Sequence, residues 1–137
     1  MQKVTTHLNF NGNCEAAFKY YEKHLGGKIS FLMPWGDSPM AKETPKGWEK
    51  KVMHASFELD GSQIIAADSP PGKFEKMQGM AVCLNYTNPA DADRVFKALA
   101  EAGRVQMPIQ ETFFAQRFGM AIDQFGTPWM VHCGKPQ

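Results

Sequence analysis

Along the chain, apolar and polar positions follow two different periods, and the switch between them happens twice. Around His7-Leu8-Asn9-Phe10 they alternate one for one, the pattern of a half-buried strand. From Cys14 the spacing lengthens. Ala17, Tyr21 and Leu25, flanked by Cys14 and Phe18, form a stripe at helical spacing, and a glycine pair follows them. Asn13 stands where an N-cap belongs, and Glu15 in the first turn suits the helix dipole. Three strand-like stretches come next, over 28–33, 52–59 and 62–68, the last two joined by Asp60-Gly61, a strong hairpin signal.

The same order then returns. Residues 8–29 overlay residues 84–105 without a gap, at an offset of 76. Leu8 meets Leu84, Asn9 meets Asn85, Phe10 meets Tyr86, Ala16 meets Ala92, Tyr20 meets Phe96 and Gly27 meets Gly103. Asn88-Pro89 opens the second helix in cap-then-proline order, Ala92, Val95, Phe96 and Leu99 form its apolar face, and Gly103 is expected to close it. Strands are expected over 104–112, 118–123 and 128–133. The chain therefore reads βαβββ twice, within one domain spanning 1–137: module 1 about 1–70, module 2 about 79–137, and a turn-rich linker at 69–79.

The expected fold class is α+β. Each helix covers one face of its four-stranded sheet and leaves the other open, and the two modules are expected to form a curved mixed sheet with an open groove. One segment exceeds this minimal unit. Residues 34–50 carry Trp35 and Trp48, and read as a lid or dimer arm or, equally, as a mobile surface loop.

Composition narrows the function classes. Apolar residues make up 43% and charged residues 21%, ordinary for a globular domain. The net charge is +1 and the fifteen Lys and Arg are scattered, so no nucleic-acid footprint is expected. No apolar run approaches the roughly 18 residues of a membrane span. The N-terminus leads straight into a strand pattern, and no signal peptide is expected. Three cysteines, Cys14, Cys83 and Cys133, are odd in number and far apart, which argues against a disulfide framework and for a reducing, cytoplasmic setting. There is no CxxC pair, no GxSxG, and no Cys placed by motif beside a His.

A duplicated βαβββ with these strands resembles the vicinal-oxygen-chelate superfamily, which includes glyoxalase I, extradiol dioxygenases and the bleomycin- and fosfomycin-resistance proteins. It is most similar to the PhnB-like branch. The matching blocks are HLNFNGNCEAAFKYYEKHLGG (7–27), HASFELDGSQIIAADSPPG (54–72) and FFAQRFGMAIDQFGTPWMVHC (113–133), with DxFGxxW at Asp123–Trp129 the most specific. Metal-dependent members hold a divalent ion through ligands on the first, fourth, fifth and eighth strands. Here those positions fall on Thr5 or Thr6, Ile65 or Ala66, Met80, and Met130. Thioethers and aliphatic groups are poor ligands for a hard, oxygen-holding ion, so the resemblance implies a member without that site. The branch often carries a demethylubiquinone methyltransferase label. Methyl transfer from S-adenosylmethionine usually calls for a parallel αβ fold with a glycine-rich turn after the first strand, and the sequence offers neither.

What remains is the open face. Its expected lining is His7 and Asn9, His54 and Ser56, Met80 and Val82, and Met130 and His132, with Phe114, Phe118 and Trp35 placed to close over it. Flexible methionines, aromatics and a few convergent polar groups make a small-molecule pocket. Met80 and Met130 serve equally well as packing between the two halves, while Trp129 is expected under the helices. Asp68 is expected to bond backbone amides where the chain turns at Ser69-Pro70-Pro71. The expectation is a metal-free protein with no cofactor that binds a small, partly apolar molecule. Homodimerisation is implied by the family resemblance alone. The alternatives are a metal-dependent lyase or dioxygenase-like enzyme with a site rebuilt from His7, His54, Asp68 or His132, and a metal-free enzyme using a histidine as general base.

Overall fold

The computed structural model describes residues 3–136, so Met1, Gln2 and Gln137 lie outside the described residues. The chain divides into two compact units, Met1–Lys76 and Met77–Gln137, with the division inside the linker. The first unit runs β1 (Thr6–Phe10), α1 (Cys14–Leu25), β2 (Lys28–Pro34), β3 (Val52–Leu59) and β4 (Ser62–Asp68). The second runs β5 (Val82–Tyr86), α2 (Pro89–Ala100), β6 (Arg104–Gln110), β7 (Ala115–Ile122) and β8 (Pro128–Gly134). Each is βαβββ, and the class is α+β. Strand order is β1-β4-β3-β2 in one sheet and β5-β8-β7-β6 in the other. In both, the first strand lies parallel to the last and the remaining pairs are antiparallel.

One face of each sheet is closed by its helix. In the first unit Leu8, Phe10, Phe57, Ile64 and Ala66 are buried against Ala17, Phe18, Tyr21 and Leu25 of α1. The Phe18 ring lies 5.6 Å from Phe57 and edge-on to Phe10 at 6.3 Å. In the second unit Leu84, Ala121, Trp129 and Val131 are buried on the side of Ala92, Val95, Phe96 and Leu99 of α2. Burying a large apolar side chain contributes about 1.5–3 kcal/mol, so this face holds each helix on its sheet. Trp129, 1% exposed, is core as expected.

Gly27 and Gly103, which the repeat superimposes, do the same job. A Cβ on Gly27 would stand 2.5 Å from the Glu58 carbonyl oxygen, and one on Gly103 would run into the Ile122 carbonyl. Close backbone approach therefore explains Gly103, rather than the helix stop expected of it. The left-handed position after α2 is taken by Ala102 at φ 58°, whereas α1 does end on a left-handed glycine, Gly26.

The cap of α1 also differs from expectation. Asn13 makes no side-chain cap bond; Asp68, at the far end of β4, reaches across instead. Its Oδ1 accepts from the Gly12 and Cys14 amides at 2.9 and 3.0 Å, and its Oδ2 from the Val52 amide at 2.8 Å. These amides are distant in sequence, not those of the turn that follows Asp68. In α2 the expected cap forms, with Asn88 Oδ1 accepting from Ala90 N at 2.8 Å behind Pro89. β7 begins three residues before its expected start because Thr112 makes the turn tight: its hydroxyl accepts from the Phe114 and Ala115 amides.

Residues 34–50 fold back on themselves. Trp35 N donates to Lys51 O at 2.8 Å and Gly36 N to Glu49 O at 2.9 Å, closing the ends of an Ω-like loop with two short 3-10 turns inside, Trp35–Asp37 and Ala41–Glu43. Among the described residues no helix is long and apolar enough to cross a membrane.

Candidate functional site

Strand alternation places the polar candidates on the faces that the helices leave open. In the first unit His7 and Asn9 alternate with buried Leu8 and Phe10, and so point away from α1. His7 is registered with Ile65, and Ile65 with Ser56, whose other neighbour is Phe31. His54 sits across from Met33, with its ring 5.8 Å from Phe31. The open face thus gathers His7, Asn9, His54 and Ser56 as expected, and adds Phe31, Met33 and Ile65. Burial and the nearby His54 both hold the His7 imidazole below its ordinary protonation range.

Two residues expected at this site are spoken for elsewhere. The Trp35 indole donates to the backbone carbonyl of Asp68 at 3.1 Å, so it braces the end of β4 rather than hanging free to close over the face. Asp68 shares its side with Ile64 and Ala66, the helix side, and its carboxylate is filled by three backbone amides. It is therefore turned away from His7 and His54. Among the described residues no three His, Cys, Asp or Glu side chains are grouped to hold a metal ion.

In the second unit Met130 and His132 alternate with buried Trp129, Val131 and Cys133, and face away from α2. Phe118 is registered with His132, and Phe114 leans in from the β6–β7 turn. Ring centroids are 5.1 Å apart for Phe114–Phe118, 6.4 Å for Phe118–His132 and 6.5 Å for Phe114–His132, the last pair nearly parallel at 9°. Met130, His132 and Phe114 lie where expected, whereas Phe118 stands within β7 on the face itself rather than at a strand end closing over it. Val82 also departs from expectation: it is registered with Trp129, on the helix side. Met80 precedes β5 and is 70% exposed. The open-face residues of β5 are Cys83 and Asn85, in register with Met130 and His132. The repeat held the signal that finds them, since the offset of 76 sets Cys83 under His7 and Asn85 under Asn9.

The specific block at Asp123–Trp129 is scaffold. Asp123 Oδ1 accepts from the Phe125 and Thr127 amides at 2.9 Å, and Oδ2 from the Trp129 indole at 2.8 Å. One buried carboxylate thus shapes the β7–β8 turn and anchors the largest core side chain, which explains the Asp and the Trp, while Gly126 takes the left-handed position of the turn at φ 98°.

A family model described as 3-demethylubiquinone-9 3-methyltransferase matches residues 2–132. The chain belongs to this family, the PhnB-like proteins. It is 32% identical to Protein YjdN of Escherichia coli K12, over 98% of this chain and 97% of that one. Protein PA1353 of Pseudomonas aeruginosa is 42% identical in its crystal structure, with a TM-score of 0.90 over 99% of this chain and 100% of that one. A PhnB protein from Bacillus cereus is 28% identical with a TM-score of 0.82, covering 97% and 100%. The fold extends to glyoxalase/bleomycin-resistance/dioxygenase proteins at low identity, such as a glyoxalase-related enzyme from Fulvimarina pelagi at 14% and TM-score 0.67, covering 98% and 89%.

For this PhnB-like chain, the positions that hold a divalent ion in metal-dependent members do not fit one. Of the two fourth-strand candidates, Ile65 faces the open side and Ala66 the helix, so that position offers only a hydrocarbon. The eighth offers the Met130 thioether, and Met80 stands outside β5 altogether. A hard oxygen-activating ion has too few suitable donors there.

Proposed function

We propose that this PhnB-like protein binds a small, partly apolar molecule on the open face of its second sheet, with no divalent metal and no methyl transfer. The observation that carries the reading is the Phe114–Phe118–His132 cluster beside Met130. Two aromatic rings, a polarisable thioether and one imidazole supply apolar contact with a polar handle on a face that no helix covers. Phe113 and Phe114, 92% and 46% exposed, add apolar surface at its rim.

Against methyl transfer stands the topology of the sheets. Each sheet has a single parallel strand pair, unlike a parallel αβ fold.

Thermal shift against a panel of small aromatic and heteroaromatic compounds tests the reading, since stabilisation follows the logarithm of ligand concentration over affinity. Compounds that raise Tm should lose their effect in Phe118→Ala and Met130→Ala. Shifts that survive both substitutions would place binding elsewhere. The family resemblance supports a homodimer, whose stoichiometry light scattering reads directly, and the sparse, unpaired cysteines support a reducing, cytoplasmic setting.

A further inference from the structure

The two units differ where each helix meets the edge strand of its own sheet, β2 in the first and β6 in the second. Both helices are twelve residues long and start behind an asparagine, Asn13 or Asn88. Matched end to end, they set Ala17 against Ala92 and Tyr21 against Phe96, and all four are buried. The gapless overlay leaves the helices one residue out of step. The extra residue lies in the turn at Glu101-Ala102, before Gly103 restores the match with Gly27. The same matching sets Phe18 against Asp93, Glu22 against Lys97 and Leu25 against Ala100.

In the first unit this flank is filled. Phe18 and Leu25 are buried, and Glu22 Oε2 accepts from the Ile29 amide of β2 at 2.8 Å. In the second unit a groove takes their place. Its volume is about 520 Å³, and its walls are Asp93, Phe96, Lys97, Ala100 and Glu101 on the helix side and Ile109 of β6. Gly119 of β7 lies against both the Phe96 ring and Ile109, with no side chain to fill the space.

The polar end of the groove follows from strand register. Lys28 pairs with Glu58 and Ile29 with Phe57, and a register shift follows. Arg104 pairs with Ile122 and Val105 with Ala121, and again a register shift follows. Along an antiparallel strand the amides point alternately toward the partner and away from it. The Ile29 amide points away, to Glu22, so the Val105 amide at the same step does too. The helix residue that meets it is Lys97, which has no acceptor. Among the described residues no side chain bonds the Val105 amide, and Lys97 makes no ion pair. Of the nearby carboxylates, Asp93 is held by Arg117 Nε at 3.0 Å and Glu101 is exposed.

We propose that this groove is a binding site for a small carboxylic acid with an aryl or branched-alkyl body. The ligand's carboxylate stands in for that of Glu22, accepting from the Val105 amide and pairing with the Lys97 ammonium. Its apolar body stands in for the missing Phe18 and Leu25 side chains, covering Phe96, Ala100 and Ile109. The groove lies on the helix side of the second sheet and the Phe114–Phe118–His132 cluster on the open side, so either reading can fail without the other.

The test uses the full chain and 3-phenylpropanoate, with 3-phenylpropanamide as its uncharged match, in an NMR titration of 15N amides and 13C-methyl methionines. Saturable binding is expected, with the Val105 amide among the largest shifts and the open-face Met120 and Met130 methyls unmoved. The amide analogue should bind at least tenfold more weakly. Lys97→Glu restores the first unit's carboxylate and Ala100→Leu its filled flank, so each should weaken binding at least tenfold. Lys42→Gln, an exposed lysine of the first unit, should leave binding unchanged. Circular dichroism checks that each variant folds, and Lys97→Met provides a second surface variant with the same expected loss. No saturable binding at millimolar acid would overturn the proposal, as would equal binding of acid and amide. Binding that survives Lys97→Glu and Ala100→Leu, or shifts that gather on Phe118 and Met130, would overturn it too.

Discussion

Replacing Asp68 should separate its two oxygens energetically. Oδ1 serves the Gly12 and Cys14 amides and Oδ2 the Val52 amide, all within 3.0 Å, and the residue is 1% exposed. In Asp68→Asn the amide oxygen keeps the Oδ1 pair, but the new NH2 faces the Val52 N–H. One buried donor left unmet costs about 1–3 kcal/mol. The other two bonds lose their charge assistance, roughly half their strength, or about 1 kcal/mol together. The expected loss is about 2–4 kcal/mol. Asp68→Ala abandons all three amides. Gly12 is only half-buried and can turn to water, but Cys14 and Val52 cannot, so two unmet amides cost about 2–6 kcal/mol. Against a typical total of about 5–15 kcal/mol, the upper end of that range brings the alanine variant to the edge of folding. Urea unfolding followed by tryptophan fluorescence gives both numbers, with midpoints falling at constant slope. A thermal melt should show roughly 3 °C per kcal/mol. An asparagine variant within about 0.5 kcal/mol of the parent would refute the assignment. Equal losses for asparagine and alanine would show that the Oδ1 pair contributes nothing.

Gly119→Ala should cost about 1–3 kcal/mol by overpacking, because its Cβ would stand 2.7 Å from the Phe96 ring and 3.0 Å from the Ile109 Cα; an unchanged urea midpoint would count against that close approach. The pH response of His7 has a definite sign. Its folded pKa lies below the ordinary 6.5, so the unfolded chain takes up a proton first. Stability should therefore decline as pH drops through about 6.5, level off once folded His7 also protonates, and be unaffected above that range. His7→Gln should flatten this decline, and His54→Gln should raise the His7 titration midpoint in imidazole NMR; a slope indifferent to His7→Gln would contradict the shift.

Much of this fold was legible because helix and strand periods are local. The stripes at Ala17, Tyr21 and Leu25 and at Val95, Phe96 and Leu99 became the buried helix faces, and alternation around Leu8 assigned His7 and Asn9 to the open side. What stayed hidden depends on pairing at long range. Asp68 caps a helix that starts 54 residues earlier, a contact with no local pattern, so Asn13 looked like the better cap. Met107, Met120 and Met130 stand on three strands, and only their hydrogen-bond register makes them neighbours. The misplacement of Val82 was different. The repeat already aligned β5 with β1, and carrying His7 and Asn9 across that alignment leads to Cys83 and Asn85.

The duplicated unit behaves like a page printed on one side. Its helix-facing text is held by close contacts, and even the glycine beneath the hairpin recurs in both copies. The reverse has been written independently: where one copy spells imidazole, sec-butyl, hydroxyl and phenyl across its strands, the other spells thiol and three thioethers. Selection for a new ligand therefore has a surface to edit in one copy without disturbing the core of either. A saturation-mutagenesis map of folding should come out striped, with intolerance and permissiveness alternating residue by residue along every central strand.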